Sequence, residues 1–323
     1  MALLESVKDK IKNLFFELGK GKVLKVQKNL TYKYKNKTGE SKPLIEDLSD
    51  SGIYAISRMP ATNEVLCSLF KTLISQNILD KNLKSIIDVG AGTGAGYFAI
   101  KDYFENAELT FVENNKNMID VFKKLTEYEN IIHEDILNFE SEEKFDLVLS
   151  SYVLSEMTEF DRVNAVCKLF NLSNKYVLLV DAGTPSIYEQ YMNIKGICKK
   201  FGFRVIAPCK NEMCPLKNDY CQFYARVERS SVHKLAKDAV QSYEDEKYFY
   251  LLFEKIENNG ENVDHEDLAR VIRRPIIKKN LVELKVCASG GVKNVAITKR
   301  DKEKFKMARK IKINEQMKVW YEI

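Results

Sequence analysis

Four cysteines have a spacing and polar neighbours that favour a metal site. Cys209, Cys214 and Cys221 have the spacing C-x4-C-x6-C, and Cys287 follows a predicted strand and precedes Ala-Ser-Gly-Gly. Four thiolates can bind a tetrahedral zinc ion or an iron–sulfur cluster. Structural zinc sites usually contain two close ligand pairs, each separated by about two to four residues, and only one gap here qualifies. The spacing favours a 4Fe–4S cluster and leaves zinc open as the alternative.

A second candidate site is a glycine-rich loop at the junction of a predicted strand and a predicted helix. The stretch 86–94 reads IIDVGAGTG. The NAD fingerprint G-x-G-x-x-G fits it poorly, because with Gly90 and Gly92 as the first two glycines the third position is Ala95. The pattern D-x-G-x-G-T-G, which begins at Asp88, resembles instead the first motif of class I S-adenosylmethionine-dependent methyltransferases.

Carboxylates follow the glycine loop in the order that this cofactor requires. Glu113 ends the second predicted strand, where an acid can accept hydrogen bonds from both ribose hydroxyls. Asp135 follows NIIHE, where methyltransferases of this class commonly have an acid near the adenine amino group. We expect the S-adenosylmethionine pocket to contain Asp88, Gly90, Ala91, Gly92, Gly94, Glu113, Asn114, Asp135 and Ser151.

The elements around these residues predict an α/β fold. From Lys84, short apolar runs alternate with helical segments, as in AELTFVE, NIIHEDI, FDLVLSSYVL and KYVLLVDAG. Strands alternating with helices indicate βαβ units and a parallel sheet. Beyond the cysteine loop we predict a strand, a charged helical stretch, further strands and the helix DKEKFKMARKIK.

We predict three regions along the chain. Residues 1–82 form a helical region with a Lys-rich hairpin at KVLKVQKNLTYKYKNK, and residues 83–230 form a Rossmann-like class I methyltransferase domain that includes the cysteine loop. Residues 231–323 form a basic extension, which the iron–sulfur site connects to the rest of the molecule through Cys287.

Positive charge is concentrated in two segments, which indicates a polyanionic partner. Between Arg270 and Lys312 there are fifteen Lys or Arg residues against three acids, in a chain whose net charge is +5. The run from Lys20 to Lys37 has seven lysines and no acid. RNA is the partner that we expect for such segments. The predicted RNA-binding residues are Arg270, Arg273, Arg274, Lys299, Arg300, Lys306, Arg309 and Lys310.

Composition indicates a soluble protein of the cytoplasm. Hydrophobic residues make up 45% of the chain and charged residues 30%, and no stretch approaches the roughly 18 apolar residues of a membrane span. A mitochondrial presequence would be rich in Arg, but the first arginine is Arg58. The odd count of 7 cysteines argues against a disulfide framework, and Cys67, Cys167 and Cys198 lie on apolar helical faces.

Several segments together resemble a known family. RMPAT, DVGAGTGAG, DAGTP, IAPCKNEMCPL, DYCQF, ARVERS, YEDEKYFY and KRDKEKFKMARK occur in this order between residues 54 and 310. They are similar to the methyltransferase-like small ribosomal subunit assembly family of bacteria and mitochondria. The resemblance implies a class I methyltransferase fold, association with the small ribosomal subunit and its rRNA, and a 4Fe–4S cluster on Cys209, Cys214, Cys221 and Cys287. Asp181, Tyr220 and Gln222 depart from the residues that are usual in the family.

No residue is predicted to be catalytic. The Asn/Asp-Pro-Pro-aromatic motif of many RNA methyltransferases is replaced by SSYVLSE at residues 150–156, in which Tyr152 and Glu156 are candidates with an equally good structural explanation. Two hypotheses therefore remain, an rRNA methyltransferase and a non-catalytic ribosome assembly factor that keeps the cofactor pocket for structure. A zinc-containing RNA-binding protein is a third. We expect a monomer when the protein is not on the ribosome.

Overall fold

The computed structural model describes residues 2–35, 45–208, 214–216, 218–256, 268–288, 291–314 and 316–318. The α-helices are α1 (Ala2–Leu18), α2 (Lys20–Lys35), α3 (Leu48–Ser57), α4 (Met59–Ser75), α5 (Ala95–Tyr103), α6 (Lys116–Thr126), α7 (Glu159–Leu172), α8 (Pro185–Ile197), α9 (Ser231–Ala236) and α10 (Lys302–Ala308). The strands are β1 (Ser85–Val89), β2 (Glu108–Glu113), β3 (Ile131–His133), β4 (Phe145–Ser151), β5 (Ser173–Ala182), β6 (Phe203–Ala207), β7 (Phe223–Glu228), β8 (Tyr243–Lys255), β9 (Leu268–Val271), β10 (Ile276–Ile277), β11 (Leu281–Ala288), β12 (Gly291–Thr298) and β13 (Gln316–Lys318).

The central sheet has the strand order β3-β2-β1-β4-β5-β8-β6, and β7 also pairs with β8. The pairs from β3 to β5 are parallel, and β8 runs antiparallel to β5, β6 and β7. Because the strand order reverses between β1 and β4, the carboxyl ends of these strands flank the crevice in which doubly wound sheets bind ligands. The predicted Rossmann-like α/β fold is confirmed.

Apolar runs in the sequence become the middle strands of this sheet. Every residue of β4 is buried, and Ile86 and Ile87 of β1 are fully buried. A parallel sheet covered by helices on both faces requires such continuous apolar strands rather than alternating ones. The four apolar runs that predicted β2, β3, β4 and β5 lie in these strands.

The charged helical stretch predicted after ARVERS is wrong beyond α9, because residues 243–255 form the long strand β8. Its first half is charged, but its second half, from Tyr248 to Phe253, is buried. The boundary predicted at residue 230 therefore precedes a strand that belongs to the central sheet. Tertiary packing of the apolar half decides the conformation, as it often does for strands.

Strands β6 and β7 pair with β8 end to end. Ala207 at the end of β6 lies opposite Leu252, and Phe223 at the start of β7 lies opposite Tyr248. The chain between them carries Cys209, Cys214 and Cys221. It therefore begins and ends at the same edge of the sheet, opposite two residues of β8 that are only a few positions apart.

The Lys-rich hairpin predicted in the N-terminal region is also wrong. Residues 20–35 form the helix α2, which packs with α1 and α3 over α5 and α6. Val23 and Leu30 of α2 are buried in this cluster, so an apolar stripe at helical spacing stabilises the helix although most of its residues are polar. The end of the predicted segment, with the last lysines of the basic run, lies outside the described residues.

A second sheet contains the strands β10-β11-β9-β13, and β12 also pairs with β11. Val271, Val282, Val286 and Phe305 contribute to its own small core. These strands and α10 belong to the predicted basic extension. Among the helices that the structure describes, none combines the length and apolar character needed to cross a bilayer.

A half-buried charged cluster joins α9 to β8. Glu244 Oε1 accepts a hydrogen bond from Lys237 Nζ at 2.5 Å, and Glu244 Oε2 accepts one from Arg229 Nη2 at 2.5 Å. His233 Nε2 lies 3.6 Å from Glu244 Oε1, and His233 is only 2% exposed. Burial, with the positive charge of Lys237, lowers the pKa of His233 to about 4.

We expect this histidine to make the fold sensitive to acid. The folded-state pKa lies below the ordinary value of 6.5, so between pH 6.5 and pH 4 the unfolded chain binds a proton that the folded chain does not. The free energy of unfolding then falls with decreasing pH, by at most about 1.4 kcal/mol per pH unit from this group. Urea unfolding of the wild type and of His233→Gln across this range measures the effect. Equal pH slopes for the two proteins would contradict it.

Candidate functional site

The glycine loop turns the chain from β1 into α5 at the carboxyl edge of the central sheet. Gly90, Gly92 and Gly94 have φ values of 80°, 55° and 103°, and Ala91 is buried between them. A Cβ atom at Gly90 would lie 2.2 Å from Val153 Cγ2, in the segment after β4. Position 90 therefore excludes a side chain both by its positive φ and by this contact. The sharp turn predicted from the sequence is present.

Asp88 is a buried acid behind this loop. It is 1% exposed, and within the described part of the chain neither carboxylate oxygen has a hydrogen-bond partner. Burial and the negative charge of Glu113 raise the pKa of Asp88 to about 7. Gly96 of α5 packs directly against the carboxylate, since a Cβ atom there would lie 1.9 Å from Asp88 Oδ2. A buried acceptor without a donor is costly, so this position fits a ligand that brings a donor or a positive charge.

Glu113 connects the glycine loop to the loop after β2. Its Oε2 accepts a hydrogen bond from Gly92 N at 2.9 Å, and its Oε1 accepts one from Asn115 N at 2.9 Å. Burial raises the pKa of Glu113, and these backbone hydrogen bonds oppose that shift. The carboxylate lies at the end of β2, next to the glycine turn.

The other predicted cofactor residues lie at the same edge of the sheet. Asn114 Nδ2 donates to Asp135 Oδ2 at 3.0 Å, which links the ends of β2 and β3. Ser151 is the buried last residue of β4. Sequence reasoning missed Asn115, whose side chain caps α6 and donates from Nδ2 to Ile45 O at 3.0 Å. An asparagine directly before a predicted helix was the signal for this cap.

Tyr152 follows β4 at the position where a catalytic motif is expected. It has a φ of 59°, and its hydroxyl is buried. Burial and the negative charge of Glu246 raise the pKa of Tyr152 well above its ordinary value. Arg58, which the sequence analysis did not select as a site residue, lies with its Cζ 6.0 Å from the Tyr152 ring centroid and pairs with Glu246 at 3.0 Å.

Three of the predicted metal ligands line one cavity between the two sheets. Cys214 and Cys221 reach it from the loop between β6 and β7, and Cys287 reaches it from β11. Cys221 is 5% and Cys287 8% exposed. Cys209 lies outside the described residues, directly after Pro208, which also lines the cavity.

A zinc ion and a 4Fe–4S cluster place different demands on the ligands of this cavity. Within the described ranges, no group of three or more His, Cys, Asp or Glu side chains is arranged to hold a metal ion. A single zinc ion requires all its sulfur ligands at about 2.3 Å from one point, whereas each cysteine of a 4Fe–4S cluster binds a different iron atom. Cys214, Cys221 and Cys287 line one shared, mostly apolar cavity, so cysteine sulfur is the donor that these residues would offer to either group.

Two of the predicted RNA-binding arginines turn toward the cysteine loop. Arg270 is 7% exposed and donates to Pro208 O at 2.5 Å. Arg273 pairs with the Asp219 carboxylate, and Lys285 Nζ donates to the same carboxylate at 3.0 Å. For Arg270, strand alternation explains why the side chain is buried and not exposed, because successive side chains of β9 point to opposite faces and the sequence did not show which face meets the loop.

The remaining basic residues that we predicted for RNA lie at the surface. Arg274 pairs loosely with Asp245, at 3.5 Å, and its side chain is 74% exposed. The exposed residues at the end of β12 and around α10 are Lys299, Arg300, Lys306, Arg309 and Lys310. These side chains are available to phosphate groups.

The sequence of this chain matches one protein family and several ribosomal RNA methyltransferases. The family described as "Mitochondrial small ribosomal subunit Rsm22" matches residues 48–317. Ribosomal RNA small subunit methyltransferase G of Mycoplasma capricolum is 27% identical over 165 residues, which cover 47% of this chain and 67% of that protein. The enzyme of the same name from Ureaplasma parvum is 27% identical over 168 residues, which cover 48% of this chain and 75% of that protein.

Solved methyltransferase structures are also similar to this chain. The plantazolicin methyltransferase BpumL in complex with SAH has 17% identity and a TM-score of 0.43, and the match covers 78% of this chain and 100% of that one. Magnesium protoporphyrin IX methyltransferase from Synechocystis PCC 6803 has 13% identity and a TM-score of 0.40, with coverage of 71% and 97%. The family match spans well over half of the sequence, so the chain belongs to the mitochondrial small ribosomal subunit Rsm22 family.

Proposed function

We propose that this protein binds S-adenosylmethionine at the glycine loop and acts on the small ribosomal subunit, as an rRNA methyltransferase, in subunit assembly, or in both. The observation that carries the cofactor proposal is the buried Asp88 carboxylate, which has no partner among the described residues and lies against the turn formed by Gly90–Gly94. The amino group of the cofactor's methionine moiety would supply the positive charge that this region lacks. Bound there, S-adenosylmethionine supplies an electrophilic methyl group.

The residues of the pocket would position the cofactor. Glu113 at the end of β2 would accept hydrogen bonds from the ribose hydroxyls, and Asp135 would lie near the adenine. Gly90 and Gly92 let the backbone approach the ligand closely. Ser151 lies at the end of β4 beside the same crevice.

We propose in addition a 4Fe–4S cluster on Cys209, Cys214, Cys221 and Cys287. The shared cavity of the last three supports this assignment, and zinc is the alternative that metal analysis would reveal. Bound there, the cluster would connect the cysteine loop to the second sheet, and we propose that its role is structural.

The rRNA of the small subunit is the partner that we propose for the exposed basic residues of the second sheet. The family match and the relatives named for ribosomal RNA methylation support this partner. The exposed cations at the end of β12 and around α10 would bind phosphates. We further propose that the protein acts in the cytoplasm and is a monomer away from the ribosome.

A non-catalytic assembly factor is the second candidate function. The residues at the expected catalytic position favour it, because SSYVLSE at 150–156 lacks the Asn/Asp-Pro-Pro-aromatic motif and the Tyr152 hydroxyl is buried. In this case the cofactor would bind at the glycine loop without transferring its methyl group.

Glu113→Ala should weaken S-adenosylmethionine binding about 30-fold, because hydrogen bonds to a charged group contribute about 2 kcal/mol. Equilibrium dialysis with labelled cofactor measures the affinity. Glu108→Ala is the matched control, since Glu108 is an exposed acid at the opposite end of the same strand. An unchanged affinity of Glu113→Ala would contradict the predicted pocket.

Transfer of the labelled methyl group to immature small subunits then separates the two functions. Label in the rRNA with the wild type, and its loss with Glu113→Ala, would support the enzyme. Cofactor binding without any transfer would support the assembly factor.

A further inference from the structure

Arg270 contacts the residues at the two ends of the cysteine loop. Its Nη1 donates to Pro208 O at 2.5 Å, directly before Cys209, and its Nη2 lies 3.6 Å from Cys221 Sγ. In the second sheet Arg270 pairs in register with Cys287. One side chain therefore spans both ends of the cysteine loop from the strand next to the fourth cysteine.

The side chain of Arg270 is largely buried. Arg270 is 7% exposed, and its Cζ lies 5.0 Å from the ring centroid of Phe223, two residues after Cys221. Removing a cation from water is costly unless nearby groups compensate it. An aromatic face and a carbonyl oxygen are among the groups that compensate this cost, and a thiolate would form a stronger hydrogen bond with the guanidinium because both groups are charged.

We propose that Arg270 is a positioning residue of the cysteine site, which connects Pro208 to Cys221 and offsets the negative charge of the bound metal–thiolate group. The proposal rests on the 4Fe–4S cluster proposed above. Its basis is the contact of one buried guanidinium with Cys221 Sγ and Pro208 O, together with the register that sets Arg270 beside Cys287. This role differs from the RNA contact that the sequence predicted for Arg270.

The charge of Arg270 should then influence the reduction potential of the cluster. Hydrogen bonds to the sulfur atoms and the net charge nearby are among the factors that set such potentials. A reduced cluster carries one more negative charge than an oxidised one, so a neighbouring cation stabilises the reduced form. Removal of that cation should make the cluster harder to reduce.

The test compares anaerobically purified wild type with Arg270→Gln, Arg270→Lys and Arg226→Gln. A redox titration followed by visible absorbance gives the midpoint potential, and a ferrous chelator gives the rate of iron loss. For Arg270→Gln we expect at least a tenfold lower ratio of reduced to oxidised cluster at a fixed potential, about 59 mV for one electron. We also expect iron to be lost several-fold faster.

The other two variants separate charge from geometry. Arg270→Lys keeps the charge but lacks the planar fork that reaches two acceptors, so we expect a potential close to that of the wild type and faster iron loss. Arg226→Gln is the matched control, because Arg226 is an exposed arginine of β7 that pairs with Asp245 and does not line the cavity, and its potential should equal that of the wild type.

The outcomes distinguish this inference from the proposed function. Wild-type protein without iron and sulfide would overturn the cluster itself. A cluster-containing wild type whose potential equals that of Arg270→Gln would overturn the role of Arg270 alone. If Arg270→Gln does not fold, Arg270→Lys decides, since wild-type rates of iron loss in that variant would overturn the proposed contact.

Discussion

Gly96→Ala should destabilise the protein by about 3 kcal/mol, at the upper end of the usual cost of overpacking. The added Cβ would lie 1.9 Å from Asp88 Oδ2 and 2.9 Å from Asp88 Cγ. Asp88 is fixed in the middle of the central sheet, between β2 and β4, so neither the strand nor the first turn of α5 can move without disturbing its neighbours. Urea unfolding followed by circular dichroism measures the loss.

Gly196→Ala is the matched control for this substitution. Gly196 also lies in a helix, but a Cβ there meets nothing within 4 Å. Alanine is the better helix former by up to about 1 kcal/mol, so this variant should be as stable as the wild type or slightly more stable. Wild-type stability of Gly96→Ala would contradict the tight packing at Asp88.

A double variant can locate the cause of the loss. Asp88→Ala removes the carboxylate that the new Cβ would contact, so Asp88→Ala/Gly96→Ala should be more stable than Gly96→Ala alone. Substitutions in direct contact are not additive, and the interaction energy from this cycle measures the contact. Additive effects would indicate that the helix, and not Asp88, limits the space at position 96.

Cys287→Ser should remove the proposed cluster and loosen the second sheet. Cys287 is the only proposed ligand from that sheet, and the cluster would be a covalent connection between it and the cysteine loop. Loss of a thiolate ligand should reduce iron and sulfide content to near zero and bleach the colour of anaerobically purified protein. Binding of a structural metal contributes on the order of 10 kcal/mol in small zinc domains, so even a fraction of this energy would be visible in the stability of the sheet.

Hydrogen exchange can show where the stability is lost. We expect faster exchange in β9, β11 and β12 and little change in β1, β2 and β4. Cys167→Ser on α7 is the control, because Cys167 is half-buried on a helix and does not line the cavity. Unchanged iron content in Cys287→Ser would show that another residue is the fourth ligand, and zinc in the wild type would support the alternative metal.

The part of the site that is local in sequence could be predicted. The turn at Gly90–Gly94 follows from the residues themselves, because positive φ values require glycine. The positions of Glu113 and Ser151 follow from strand ends, since parallel strands present their carboxyl ends at one edge. The apolar runs of β1 and β4 are continuous because both faces of a parallel sheet are buried.

Features that depend on distant neighbours could not be predicted. The conformation of residues 243–255 depends on pairing with three other strands, which stabilises a charged segment as β8. The inward orientation of Arg270 depends on the register of β9 against β11, and a shift of one residue would turn this side chain to the opposite face. The helix α2 depends on burial of a narrow apolar stripe by α1 and α3.

The end-to-end pairing of β6 and β7 along β8 has a consequence for protein synthesis. When residues 203–228 leave the ribosome, β8, the strand with which β6 and β7 will pair, has not yet been made. The segment with Cys209, Cys214 and Cys221 therefore has no strand to fix its two ends. Translation of residues 243–255 lets this edge of the sheet close, and Cys287 emerges later still. The proposed cluster would therefore bind fully only after residue 287 has been translated. Nascent chains that end before residue 287 would contain less iron and sulfide.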